Sequence, residues 1–221
     1  MFEKSFSFLR LLQKNNNREW FHSHKDLYND AKQEFEGITE LLIHEISSFD
    51  KDISGLIPKD CIFRIFRDIR FTNDKSPYKN NFGAYLSKGG KKSFYAGYYL
   101  HIEPNESMIA GGIYMPPAPV LKAVRNEIFH HIEEFNEIIS ERDFVKHFGD
   151  FSSEKLKTAP KGFPKDFPDM ELLKYKNYIV VESKTDKEMM TDSISKELKE
   201  DFKRIFRLNQ FLNEAIKEVS L

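Results

Sequence analysis

The sequence predicts an α+β fold: an antiparallel sheet of four to five strands covered by long N-terminal, central and C-terminal helices. Three observations carry that expectation. Apolar residues recur at steps of three and four through the first fifty residues and through most of 119–219, the spacing of a buried helix face. From about 61 to 115 the period changes to two, and the runs shorten to strand length. The breaks within that middle region, Lys88-Gly89-Gly90-Lys91-Lys92 and Pro104-Asn105-Glu106, are short enough for hairpins.

Phe6, Leu9 and Leu12 mark a short amphipathic helix that Asn15-Asn16-Asn17 ends, and Asn17 is placed to cap the next helix with Glu19 in its first turn. From Trp20, the positions Phe21, Tyr28, Ala31, Phe35, Ile38, Leu42, Ile46 and Phe49 predict one long helix. His24 lies between Trp20 and Tyr28 on one face and is expected to be packed and hydrogen-bonded. His22, two residues away, points elsewhere, so the pair is a poor metal site. Residues 50–58 form a connection. Strands are expected at Ile62–Asp68, Phe82–Ser87, Phe94–Glu103 and Ser107–Met115.

Met115-Pro116-Pro117-Ala118-Pro119 is a rigid break before a helix striped by Leu121, Val124, Ile128, Ile132, Phe135 and Ile139. His130 and His131 are adjacent and face different sides, so no metal site is expected there. A helical piece at 142–148, a turn capped by Asp169 and a strand at Tyr178–Ser183 follow. A last helix over 194–219 points Leu198, Phe202, Ile205, Leu212 and Ile216 inward. No repeat or linker divides the chain, which is expected to be a single domain over 1–221, with a helical part at 1–50, a meander at 61–115 and helices with one more strand at 119–221.

Composition excludes several classes. With 40% hydrophobic and 31% charged residues the chain is an ordinary folded sequence rather than a disordered one. It has no run of apolar residues long enough for a membrane span and no basic-then-apolar leader, so no membrane partner is expected and the expected location is cytoplasmic. The single cysteine, Cys61, excludes an intramolecular disulfide, suits a reducing compartment, and reads as a small buried hydrophobe beside Ile62 and Phe63. A net charge of −1 provides no global field for a polyanion. Locally, 59–92 carries nine Lys and Arg against three Asp.

That local excess centres on Cys61–Lys79. Read with period two, Phe63, Ile65, Arg67, Ile69 and Phe71 share one face, and Arg64, Phe66, Asp68 and Arg70 share the other. An arginine among large apolar neighbours needs a partner, and Asp68 and Asp74 are the nearest acids in sequence. Thr72-Asn73-Asp74-Lys75-Ser76-Pro77 is turn chemistry. In the run Phe94–Glu103, the even positions Phe94, Ala96, Tyr98, Leu100 and Ile102 make a core face. The odd positions Tyr95, Gly97, Tyr99, His101 and Glu103 make a polar, aromatic face that reads as a pocket floor, extended by Gly111-Gly112, or else as a covered face with a bulge.

These residues point first to a domain that holds a phosphate- or carboxylate-bearing small molecule, with or without catalysis. Arg64, Arg67, Arg70, Lys75 and Lys79 supply charge, Asp68 and Asp74 orient it, and Tyr78, Tyr99 and His101 offer hydrogen bonds or a proton. Two alternatives stand beside it. One is a module for nucleic acid or a protein partner, using Lys75, Lys79, Lys88, Lys91 and Lys92 with exposed tyrosines. The other is a charge network that only joins helix to sheet. No cofactor or metal is expected: Tyr85 and Lys92 occupy positions that a phosphate loop around Gly90-Lys91 would need, and no dinucleotide, zinc or nucleophile-elbow pattern is present.

Asn17-Arg18-Glu19-Trp20-Phe21, then Phe63-Arg64-Ile65-Phe66-Arg67-Asp68, Arg70-Phe71 and Asp74-Lys75-Ser76-Pro77-Tyr78-Lys79, resemble the bacterial domain-of-unknown-function 2461 family. Gly97-Tyr98-Tyr99-Leu100-His101, Gly111-Gly112-Ile113-Tyr114-Met115-Pro116 and Lys161-Gly162-Phe163-Pro164 resemble its later blocks, so the likeness runs from about Phe6 to Leu212. It implies one full-length unit and carries no activity, substrate or catalytic residue.

Overall fold

The computed structural model describes residues 1–70, 73–217 and 219. Its elements in chain order are α1 (Glu3–Lys14), α2 (Arg18–Ser23), α3 (Lys25–Ser47), α4 (Pro58–Cys61), β1 (Phe82–Ser87), β2 (Gly97–Ile102), β3 (Met108–Ile113), α5 (Ala118–His130), α6 (Ile132–Ser140), α7 (Arg142–Phe148), α8 (Met170–Leu173), β4 (Tyr178–Ser183), α9 (Asp186–Met189) and α10 (Ile194–Glu214). The strands form one antiparallel sheet in the order β1-β2-β3-β4, and the architecture is α+β. Among the described residues no helix is long and apolar enough to cross a membrane. The chain divides into two compact units, one of Met1–Lys91, Tyr99–Ile109 and Ser183–Glu200, the other of Lys92–Tyr98, Ala110–Glu182 and Asp201–Leu221.

In the first unit, Phe6, Leu9 and Leu12 are fully buried as the spacing requires, and Asn17 caps α2 by accepting from the Trp20 amide at 2.9 Å. The helix expected from Trp20 onward is two helices. His24 takes φ −118° and ψ 30°, its Nδ1 lies 2.9 Å from the Trp20 carbonyl, and its ring stacks on Trp20 with centroids 4.4 Å apart. The backbone leaves the helical region at this one residue, although its amide still donates to the Trp20 carbonyl and the apolar stripe runs straight through. Phe35 of α3 stacks on Phe82 of β1, and Phe82 also receives Phe8 of α1.

The strand expected at Ile62–Asp68 is an extended ribbon rather than a full sheet member. It meets the following segment only at two isolated antiparallel bridges, Ile62 with Ala84 and Phe66 with Tyr78. Phe63 N donates to Gly83 O, Arg67 N to Pro77 O and Lys79 N to Ile65 O. The two-residue alternation holds all the same: positions 64, 66, 68 and 70 are exposed, and 63, 65, 67 and 69 are less so.

The second unit also splits an expected helix at a histidine. His131, at φ −121° and ψ 40°, separates α5 from α6, and the buried positions become Val120, Val124, Ile128, Phe135 and Ile138. Phe202 of α10 packs edge-on to Tyr98. Asn209 donates to the Gly97 carbonyl at 3.0 Å, and a Cβ on Gly111 would lie 2.3 Å from Ile205. Gly112, at φ +105°, lets the Tyr178 carbonyl approach to where its Cβ would stand. Gly111 and Gly112 therefore serve close packing and do not widen a pocket floor.

Candidate functional site

Site geometry follows from the ribbon register. The Phe66–Tyr78 bridge sets Lys79 opposite Ile65, so Phe63, Arg67 and Lys79 share one face by parity, as do Asn81 and Gly83 beyond the irregular stretch at 80–81. Asn16, in the link after α1, brackets this segment: its Nδ2 donates to Tyr78 O and Asn80 Oδ1, both at 3.0 Å, and its Oδ1 accepts from Tyr78 N at 3.2 Å. Tyr78 itself is buried and stacks on Phe21, with centroids 4.0 Å apart and planes 13° apart. Its ring belongs to the core; its backbone positions Lys79.

The cations of this stretch fall into two groups. Arg67 Nη1 donates to Asp74 Oδ2 and, at 2.8 Å, to Ser76 Oγ. Asp74 also accepts from the Ser76 amide at 2.9 Å and the Ser76 hydroxyl at 2.7 Å, and these bonds with the Arg67 charge hold its carboxyl down to about 2. Arg70 forks onto Asp68, Nε to Oδ1 at 2.9 Å and Nη2 to Oδ2 at 2.6 Å, which keeps Asp68 far below the usual carboxylate range. Lys75 Nζ donates to Ile69 O. Each of these charges is answered within a few residues.

Arg64 and Lys79 are different. Neither side chain has a carboxylate or a hydrogen-bond partner among the described residues. Lys79 is half-buried with Nζ 5.5 Å from the centroid of Phe63. Burial first, then the Arg64 and Arg67 charges, lower its pKa from the ordinary lysine value. The Phe63 ring offers an ammonium only a modest attraction, about 0.5–1 kcal/mol. The chain therefore gathers three cations here, with Asp74 paired to Arg67 and with Asp68, already forked by Arg70, within electrostatic reach of Arg64.

Against the same Phe63 ring, edge-on at 6.3 Å, lies Tyr99 of β2. Its hydroxyl is 3.0 Å from His101 Nδ1, and His101 Nε2 is 2.9 Å from Glu103 Oε2. Asn81 Nδ2 stands 3.3 Å from His101 Nδ1. A carboxylate accepts only, so Nε2 carries the proton and Nδ1 accepts from Tyr99, a tautomer that also suits the Asn81 donor. Burial and the Glu103 charge push the Tyr99 phenol up to about 12. The Tyr99 hydroxyl can lie here because position 83 is glycine: a Cβ there would be 2.7 Å from it.

The structure thus puts Arg67 and Lys79 on one ribbon face, with Asp74 on Arg67 and with Arg64, from the other face, near enough for its charge to act on Lys79, and it joins Tyr99 with His101 on β2. It turns Asp68 and Arg70 toward each other and Tyr78 into the core. Sequence reasoning passed over Phe63, Asn81, Gly83 and Glu103 as site residues. The signal for Glu103 was available, since Tyr99, His101 and Glu103 are alternate residues of one strand.

Two surface clefts, of about 260 and 230 Å³, lie elsewhere, one lined by Glu3, Phe8 and Leu27 and the other by Glu127, Arg207 and Phe211. Cys61 is buried, and burial pushes its thiol up to about 11, as suits a packed side chain. In the second unit His147, Glu182 and Asp201 bring ligand-type atoms within 4.8 Å of one another. Arg204 already bridges Asp201 at 2.6 Å and Asp143 at 2.6 Å, so a guanidinium supplies the positive charge that a metal ion would bring.

A family model described as "Conserved hypothetical protein (DUF2461)" matches residues 4–211. No curated protein and no solved structure matches the chain.

Proposed function

The chain belongs to the DUF2461 family, whose description assigns no chemistry, and we propose that it binds an anionic small molecule, phosphate- or carboxylate-bearing, at Arg64, Arg67 and Lys79. The observation that supports this reading is the half-buried Lys79, whose nearest charged neighbours are two arginines and which no carboxylate answers. Like charges held together in a folded chain are unfavourable until an anion joins them, and guanidinium forks beside an ammonium suit phosphate and carboxylate oxygens. Tyr99 and His101 already spend their polar hydrogens on His101 Nδ1 and on Glu103. The single reduced cysteine fits a cytoplasmic setting for such a domain.

A thermal-shift screen of inorganic phosphate, nucleotides, sugar phosphates and small carboxylates tests the proposal. A ligand at a hundred times its dissociation constant stabilises by about 2.7 kcal/mol, which is roughly 5–10 °C for a chain of this length. Lys79→Met and Arg64→Ala should each remove the shift. Arg70→Ala should leave it, because Arg70 forks onto Asp68. Absence of any shift, with Lys79→Met folded, would defeat the proposal.

A second reading has its own support. Phe66 is 49% exposed and lies between Arg64 and Arg70 on the outer ribbon face, an arrangement suited to a nucleic-acid base on the ring with phosphates beside it. Short single-stranded oligonucleotides in the same screen address it. Binding that weakens steeply with salt and fails in Phe66→Ala would favour this reading over the small anion.

A further inference from the structure

We infer that Lys79 is an amine nucleophile, and that the anionic ligand is a carbonyl compound with which it forms an imine. This rests on the anion-binding reading above and names the class of molecule the site would take. An ordinary surface lysine is a solvated ammonium, often engaged by a carboxylate, and a protonated amine has no lone pair to give. Lys79 departs from that pattern in position. Its Nζ lies over the Phe63 ring, half withdrawn from water, with no acceptor among the described residues.

Arg67 shares its ribbon face, and the Arg64 charge is close enough to act on it. The same surroundings that hold an anion thus favour the neutral amine, since desolvation and neighbouring cations both weigh against the ammonium. Binding of the anionic group would place its carbonyl within reach of the one lysine of the ribbon so disposed. Lys75, by contrast, is exposed and donates to Ile69 O.

The step balances without another reactant. The Nζ lone pair adds to the carbonyl carbon, the carbonyl π pair moves to oxygen, and transfer of a proton from nitrogen to oxygen gives a carbinolamine. The C–O bond then breaks, the hydroxyl takes a proton and leaves as water, and loss of the remaining N–H proton gives the neutral imine. Amine and carbonyl become imine and water, with no change in oxidation state. The departing water takes its proton from solvent.

The test uses pyridoxal 5′-phosphate, an aldehyde that carries a phosphate. The full chain is incubated with it near neutral pH, reduced with borohydride and mapped by peptide mass spectrometry. The reduced adduct should collect on Lys79 severalfold over exposed lysines such as Lys92. Pyridoxal without the phosphate should lose that preference. Lys79→Arg should abolish the adduct and still bind inorganic phosphate.

If phosphate binds and Lys79 is labelled no faster than Lys92, the inference fails and the anion site stands. If phosphate does not bind and no lysine is preferred, both fail. Equal labelling of Lys79 by pyridoxal and its phosphate would overturn the assignment of an anionic carbonyl compound.

Discussion

The second unit has a charge cluster of its own, and it differs from the one on the ribbon. Around α7 and α10, Arg204 donates to both Asp143 and Asp201, and His147 has Asp143 on one nitrogen and Glu182 on the other. The one guanidinium there has a carboxylate on either side, so the cation of this cluster is answered by the chain itself. Along 64–79, Asp68 forks onto Arg70 and also feels the Arg64 charge, and Asp74 answers Arg67, but among the described residues no carboxylate pairs with Lys79. What separates the two places is whether each cation has a carboxylate paired with it. A balanced cluster holds structure together, and an unbalanced one has a use for a counter-charge from outside.

Disruption of the balanced cluster should give the largest effect. Arg204→Met leaves the Asp201 carboxylate, whose side chain is 6% exposed, without its guanidinium, and should cost about 3 kcal/mol in urea unfolding. A loss no larger than that of a typical surface substitution would erase the contrast between the regions. Lys79→Met should act in the opposite direction.

Burial and the two arginines lower the folded-state pKa of Lys79, so the unfolded chain binds more protons and the residue costs stability below both pKa values. The variant should therefore be more stable than wild type at neutral pH. That gain should shrink as pH rises toward the ordinary lysine value of 10.5. A destabilised Lys79→Met would mean that the lysine has an answering partner after all.

The smallest effect belongs to the paired, exposed part of the ribbon. The Asp74 carboxyl is held at about 2 in the fold against 3.8 ordinarily. Its contribution is complete above the ordinary value and disappears as pH falls through about 2. Melting temperatures of wild type and Asp74→Asn should differ slightly at pH 5 and converge at roughly pH 2. Curves that stay parallel to the lowest pH would show that the Arg67–Asp74 pair contributes nothing to stability.

Much of the fold was legible in residue spacing. Asn17 as a cap, the buried positions of α1 and α10, and the alternation of β2 follow from periods of 3.6 and two, which burial enforces. Both errors in the long helices share a cause. At His24 and His131 the backbone leaves the helical region for one residue while the apolar stripe continues, and periodicity reports the stripe alone.

Phe94, expected on the core face, is 48% exposed because the strand begins only at Gly97. The candidate site was legible as a set of residues, but not as a balance of charges. Nothing in the order Arg64, Arg67, Asp68, Arg70, Asp74, Lys75, Lys79 says that the two acids choose Arg67 and Arg70. That choice depends on the turn at 73–77, where Ser76 folds back onto Asp74, and on the short reach from Asp68 to Arg70.

Asn16 has a further bearing on how the site comes into being. It closes on Tyr78 and Asn80 across more than sixty intervening residues, so the bracket that positions Lys79 is a long-range contact. Chain closure over that span is slow relative to helix formation. A growing chain thus makes its first helices well before it can assemble its cationic face, and that face is complete only once the opening segment has come back to meet it.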